Sequence, residues 1–136
     1  MKKFQKNNNI ILDFLNGGMM MKLGKIKELL EAEVLCNEEL LDYEAVSAFA
    51  CDLMSDVLSL AKKETILLTG LTNVQAVRTA EMLDLRCIIF VRNKRPDESV
   101  VELAREKGIC VLFTKYTLFT ACGILYSNGL KGADML

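Results

Sequence analysis

The chain contains no histidine, a single proline and no Cys-x-x-Cys pair. Each absence removes a class of chemistry. Without histidine the commonest general base is missing, and neither a Ser/His/Asp nor a Cys/His constellation can be assembled within one chain. The five cysteines, Cys36, Cys51, Cys87, Cys110 and Cys122, are too scattered for a zinc knuckle, which needs clustered soft ligands. There is no Gly-x-x-x-x-Gly-Lys and no Gly-x-Gly-x-x-Gly loop to cradle a phosphate. No apolar run approaches the roughly 20 residues of a membrane span. No metal and no cofactor are expected, and catalysis would have to rest on carboxylates, lysines or a thiol alone. Asp52 and Asp56 would share a helical face if the helix began early, but capping plus a solvated face accounts for them better.

What the chain does contain is an alternation. Three short apolar, β-branched runs, Thr65–Thr69, Cys87–Val91 and Val111–Thr114, are each followed by a helical pattern. This predicts an α/β domain, a compact β-α-β-α-β-α core with a largely parallel sheet covered by helices. In such sheets ligands bind at the carboxyl ends of the strands. The segments that follow the runs are Gly70-Leu71-Thr72-Asn73, Arg92-Asn93-Lys94-Arg95-Pro96 and Lys115-Tyr116-Thr117. If the strands are parallel neighbours, these loops share one rim. Helix N-termini there would offer free N–H groups and a partial positive charge. Thr72, Asn73 and Thr117 add polar donors, and Arg92, Lys94, Arg95 and Lys115 add formal charge. Arg78, in the helix after Thr72, would also point inward. The eight residues make a candidate site for an anionic ligand: a phosphorylated metabolite, a nucleotide or an acidic partner segment. The bland alternative is ordinary capping, with lysines that keep the loops soluble.

Elsewhere the pattern predicts a helix from about Lys22 to Glu33, a short strand at Val34-Leu35 and a polar connection over 37–42. A strand over Val46–Cys51 and a helix over Leu53–Lys62 follow, with Asp52 or Ser55 near that helix's start. Another helix covers Asn73–Asp84, capped by Thr72 or Asn73. Pro96 falls where a first-turn proline belongs, with Asp97 and Glu98 at the positive end of the dipole. Arg105, Lys107 and Gly108 close that helix. The last helix spans about Thr117–Ser127, ended by Asn128-Gly129.

At 136 residues, 51 % of them apolar, the chain is long enough for one self-sufficient core. The net charge of −1 argues against a general nucleic-acid binder. Charge is locally polarised: seven acids and no bases lie between Glu28 and Glu44, and four bases and no acids between Arg86 and Arg95. Such faces either steer association between unlike surfaces or are simply solvated. Lys2, Lys3 and Lys6 precede Ile10-Ile11-Leu12-Asp13-Phe14-Leu15, a run too short and too acidic for a signal core. The odd cysteine count and the lack of a secretion signal fit a reducing cytoplasm, and no membrane partner is expected.

Asn16-Gly17-Gly18 leads into Met19-Met20-Met21. Two glycine codons can read as a purine-rich ribosome-binding sequence, so Met20 or Met21 is a candidate start. Residues 1–20 are then a mis-assigned start or a poorly ordered extension, residues 21–130 the domain, and residues 131–136 a loose tail.

The arrangement resembles the DRTGG domain. The likeness runs from Met21 to Leu130 through Ala32-Glu33-Val34-Leu35, Ile66-Leu67-Leu68-Thr69-Gly70 and Ala80-Glu81-Met82-Leu83. It continues through Cys87-Ile88-Ile89-Phe90-Val91, Pro96, Val101–Gly108 and Thr114–Phe119. The residues that give the family its name are replaced: Thr72-Asn73 stands where Asp-Arg would follow the first strand, and Arg92-Asn93-Lys94 where Thr-Gly-Gly would follow the second. No site residue is therefore carried over. The resemblance implies a non-catalytic, often dimer-forming regulatory region, similar to the amino-terminal domain of HPr kinase/phosphorylase and to domains found beside CBS domains in certain pyrophosphatases. The expectation is a regulatory module, a homodimer, that binds a partner protein or an anionic small molecule. The alternatives are a small enzyme on a phosphorylated substrate, completed by a partner chain or metal, and a structural subunit docking a basic partner through its acidic face. Peptide mass spectrometry of the native protein tests the start: peptides from residues 7–15 would exclude a start at Met20 or Met21.

Overall fold

The computed structural model describes residues 20–62 and 64–135. The expectation for residues 1–20 therefore lies, but for Met20, outside the described residues. The strands are β1 (Met21–Lys22), β2 (Glu33–Cys36), β3 (Glu44–Ala45), β4 (Ser47–Ala50), β5 (Thr65–Thr69), β6 (Cys87–Phe90), β7 (Cys110–Phe113) and β8 (Lys131–Gly132). The helices are α1 (Leu23–Leu29), α2 (Met54–Leu60), α3 (Val74–Met82), α4 (Glu98–Glu106) and α5 (Leu118–Ser127). Six strands form one sheet in the order β2-β7-β6-β5-β4-β8, and β1 and β3 pair separately. All neighbours in the large sheet are parallel except β2, which runs antiparallel to β7.

The sheet is covered on both faces, and its residues divide by parity. Leu67, Ile88, Phe90 and Val111 pack with Met54 and Val57 of α2, Ala76, Val77 and Ala80 of α3, and Val100, Val101 and Ala104 of α4. Ile66, Leu68, Cys87, Ile89, Cys110 and Leu112 pack with Leu23 and Ile26 of α1 and with Ala121 and Leu125 of α5. Successive strand side chains point to opposite faces, so two helical layers demand unbroken apolar runs. The helix layers follow from handedness. β4, β5, β6 and β7 are laid down side by side in chain order, so right-handed crossovers place α2, α3 and α4 on one face. The connection from β7 to β8 runs back across the sheet, and the same handedness puts α5 on the other.

Several boundaries differ from the sequence expectation for local reasons. α1 ends at Leu29 because Glu31 takes a left-handed backbone (φ 48°) that turns the chain into β2. The connection over 37–42 contains a 3-10 turn, Glu38–Asp42. Its entry residue Asn37 is also left-handed (φ 56°), and its amide donates to the carbonyls of Ala104, Arg105 and Ile109 at 3.2, 3.3 and 2.9 Å. An asparagine from the sheet edge thus ties down the end of α4, whose Ala104 and Arg105 carbonyls also accept from the Ile109 and Gly108 N–H groups. Pro96 precedes α4 instead of entering its first turn, because Asp97, in extended conformation, occupies the cap position. Gly108 closes α4 at φ +69°, as its place in sequence implied.

The largest correction concerns residues 131–136. Lys131 and Gly132 pair in parallel with Ser47 and Ala48 of β4, and Leu130 and Ala133 are buried. The tail is the sixth strand of the sheet, too short and too polar to read as a strand on its own. Leu130→Ala is expected to lower stability by about 2–5 kcal/mol, the range for removing a buried leucine side chain. Urea unfolding measures it; an effect under about 0.5 kcal/mol would show that the segment is loose after all.

Candidate functional site

The carboxyl ends of β4, β5, β6 and β7 lie along one edge of the sheet because all four strands are parallel. At β5 the turn is organised by a residue that belongs to the preceding strand's end. Asp52 accepts hydrogen bonds from the Gly70 N–H (2.7 Å) and the Thr69 hydroxyl (2.9 Å), and the Thr69 hydroxyl oxygen accepts in turn from the Leu71 N–H (3.1 Å). Asp52 therefore does not cap α2, whose N-cap is Leu53, and does not share a helical face with Asp56. Asn73 caps α3 as expected, its side-chain oxygen accepting from the Gln75 N–H at 3.0 Å. Thr72, half-buried, stands between the two.

Arg92 and Asn93 follow β6 with left-handed backbones (φ 65° and 54°). This conformation is unfavourable for a residue with a side chain, by roughly 1–2 kcal/mol. It turns Arg92 back over Gly70: a Cβ on Gly70 would lie 2.9 Å from the Arg92 Nε, and the guanidinium donates to the Gly70 carbonyl at 3.4 Å. A side chain at position 70 would therefore displace the Arg92 guanidinium from this place.

The chain leaves β6 and β7 towards opposite faces, to α4 and α5. In open parallel sheets such a divergence makes a binding crevice. Here the two loops are stitched together: the Arg92 N–H donates to the Tyr116 carbonyl (2.8 Å) and the Asn93 N–H to the Thr114 carbonyl (3.1 Å). This places Arg92 beside the Lys115-Tyr116 loop. Lys115 lines a cavity of about 410 Å³ with Leu30, Glu31, Thr114 and Tyr116. Glu31 already accepts the Tyr116 hydroxyl at 2.7 Å, a hydrogen bond that pushes the phenol pKa up.

The eight sequence candidates therefore separate. Thr72, Asn73, Arg92 and Lys115 sit on the loops that meet. Lys94 is exposed on the same loop as Arg92 and makes no ion pair among the described residues. Arg95 is diverted: its guanidinium pairs with Glu33 of β2 and lies over the Phe113 ring, 5.0 Å from its centroid. Arg78 is exposed on α3 and makes no hydrogen bond or ion pair with the other seven, and the Thr117 hydroxyl meets that of Thr120 at 3.2 Å. Asp52 was the residue missed. Its signal was its position directly after an apolar run, the same signal that singled out the other loops.

Comparison with known proteins bears on this arrangement. The DRTGG domain matches residues 25–127. The chain belongs to the DRTGG domain family. Curated protein sequences yield no match. Among solved structures it is similar to the CBS and DRTGG domains of the regulatory region of Clostridium perfringens pyrophosphatase, crystallised with the activator diadenosine tetraphosphate. Identity is 20 % and the TM-score 0.63, over 74 % of this chain and 44 % of that one. The chain thus spans under half of that structure, and the likeness is one of fold.

In this DRTGG domain all five cysteines are free thiols. Cys87 and Cys110 face each other in register on β6 and β7, and both are fully buried. Burial pushes the Cys87 thiol well above its ordinary value and likewise raises Cys36 and Cys122, whereas the hydrogen bond with Cys87 lowers Cys110. Among the described residues no cluster of cysteine, aspartate and glutamate could hold a metal ion. No helix among them is long and apolar enough to cross a membrane. The raised thiol values carry a pH dependence. Between the unfolded value, about 8.5, and the higher folded ones, the folded state holds more protons, so stability falls as pH rises. Urea midpoints are expected to be level from pH 6 to about 8 and to decline towards pH 10. Replacing Cys36, Cys87 and Cys122 with alanine should flatten that decline, and an unchanged decline would assign it to other groups.

Proposed function

We propose that this chain is a non-catalytic regulatory module of the cytoplasm that binds an anionic ligand, phosphorylated or nucleotide-like, at the meeting of the β5, β6 and β7 loops. Arg92 carries the reading. Its left-handed backbone is a local cost that glycine would avoid, and the conformation holds the guanidinium at the strand ends. There it makes one long hydrogen bond and meets no carboxylate, whereas Arg95, three residues on, is consumed by Glu33. A guanidinium with donors to spare, beside the capped N-terminus of α3 and the Lys115 ammonium, suits a phosphate or carboxylate. Thr72, Asn73 and Lys94 would complete the contacts. Arg78, Arg95 and Thr117 are peripheral to this version of the site. The nucleotide activator of the similar pyrophosphatase region supports the ligand class, and the absence of histidine supports a role without catalysis.

We also propose that the module works as a homodimer. The dimer-forming habit that the family resemblance implies supports this, and Phe119, 86 % exposed at the start of α5, is a candidate contact.

Native mass spectrometry of the purified protein reads both points at once: a dimer carrying a small anion is expected, and a ligand-free monomer would contradict the reading. Calorimetric titration with diadenosine tetraphosphate and with ATP should then show Arg92→Ala/Lys115→Ala weakening the better ligand by about 10- to 100-fold, the scale of a lost charged hydrogen bond. The unfolding midpoint should not move. Unchanged affinity would remove the site from these loops.

A further inference from the structure

The outer edge of the sheet holds a second recess, lined by none of the residues just discussed. β8 covers β4 only at Ser47 and Ala48, while β4 continues to Ala50. Past Gly132 the chain turns away into a 3-10 turn, Ala133–Met135. The edge at Phe49 and Ala50 is therefore left without a neighbouring strand among the described residues. The space is a cavity of about 690 Å³ between the end of α2, at Leu60, and the flank of α5, at Leu125 and Tyr126. Cavities of roughly 300–1,000 Å³ with mainly apolar walls and a few polar groups are the usual form of small-molecule sites.

We propose that this recess binds a planar, apolar small molecule bearing one negative charge, such as an aromatic carboxylate or sulfonate. Planarity follows from the walls: the Phe49 and Tyr126 rings both line the cavity, and aromatic side chains favour stacked or edge-on aromatic partners. The charge follows from Lys131, the cation whose place on the wall the structure fixes. The Lys131 ammonium lies 4.3 Å from the centroid of the Tyr126 ring, which keeps it on the cavity wall instead of extended into water. An anion entering over Tyr126 meets this ammonium directly. Asp134, exposed, also lines the cavity, its Oδ1 2.7 Å from where a Cβ on Gly132 would stand. The recess exists because the last strand is cut short, so it is independent of the loops at the strand ends.

The probe is 8-anilinonaphthalene-1-sulfonate, an aromatic monoanion whose fluorescence rises in apolar surroundings. Titration of the full-length folded chain is expected to show one saturable site per chain. Ala50→Trp, which fills the recess from its exposed rim, should abolish binding. Lys131→Glu should weaken it about tenfold or more, and urea unfolding should confirm that both variants fold cooperatively. Arg92→Ala/Lys115→Ala should leave probe binding unchanged. The proposal is overturned by the absence of a saturable site, by binding that survives Ala50→Trp, or by loss of binding in the Arg92/Lys115 variant. Binding indifferent to Lys131→Glu would overturn the preference for an anion. Failure of this site would leave the reading of the Arg92 loops untouched, because the two sets of variants share no residue.

Discussion

The structure depends on strands β5, β6 and β7 being buried on both faces. Water reaches neither side of Ile66–Leu68, Ile88–Phe90 or Val111–Leu112, so every side chain there must be apolar and every backbone group must be paired within the sheet. Each such side chain contributes about 1.5–3 kcal/mol through burial, which makes this block the main source of stability. Two helical layers are then required, and a chain that lays down four neighbouring strands in order can supply only one of them. α1, laid down before them, and α5, reached by the reversal after β7, supply the other. The position of α5, the pairing of β8 with β4 and the divergence of the loops after β6 and β7 all descend from that requirement.

The strand ends inherit their geometry from the same block. Because the strands are parallel, their terminal polar groups emerge together, and the fold must organise them without water inside. Asp52 does so for β5, a left-handed Arg92 and Asn93 for β6, and the Thr114 hydroxyl, donating to the Leu30 carbonyl at 2.7 Å, for β7. These are structural duties first. What distinguishes Arg92 is that its duty is light and its conformation costly, while the neighbouring Arg95 is fully engaged.

Legibility in the sequence followed the range of the forces involved. Doubly buried strands read as continuous apolar runs, so β5, β6 and β7 were visible, and the shared rim of Thr72, Asn73, Arg92 and Lys115 followed from their parallel order. The Asn73 cap and the Gly108 terminator are local chemistry and were equally visible. Arg95 looked equivalent to Arg92 because its partner Glu33 is 62 residues away. Lys131-Gly132 has no strand pattern, since only β4 makes it a strand. Asp52 read as a helix cap because its bonds to Gly70 and Thr69 lie across a crossover. Local rules cannot report partners chosen by the assembled sheet.

The two outer strands of the large sheet are distant in the chain from the strands they pair with: β2 comes before all four central strands and lies on the last of them, and β8 comes after them and lies on the first at Ser47 and Ala48. During synthesis on a ribosome the central block can pair in the order it emerges, but the Ser47–Ala48 flank of β4 stays bare until Lys131 and Gly132 have emerged. A bare strand flank is a template for joining a neighbouring chain. Loss of the Lys131-Gly132 pairing would therefore act less on the core than on solubility, lengthening the strand flank that a neighbouring chain can join.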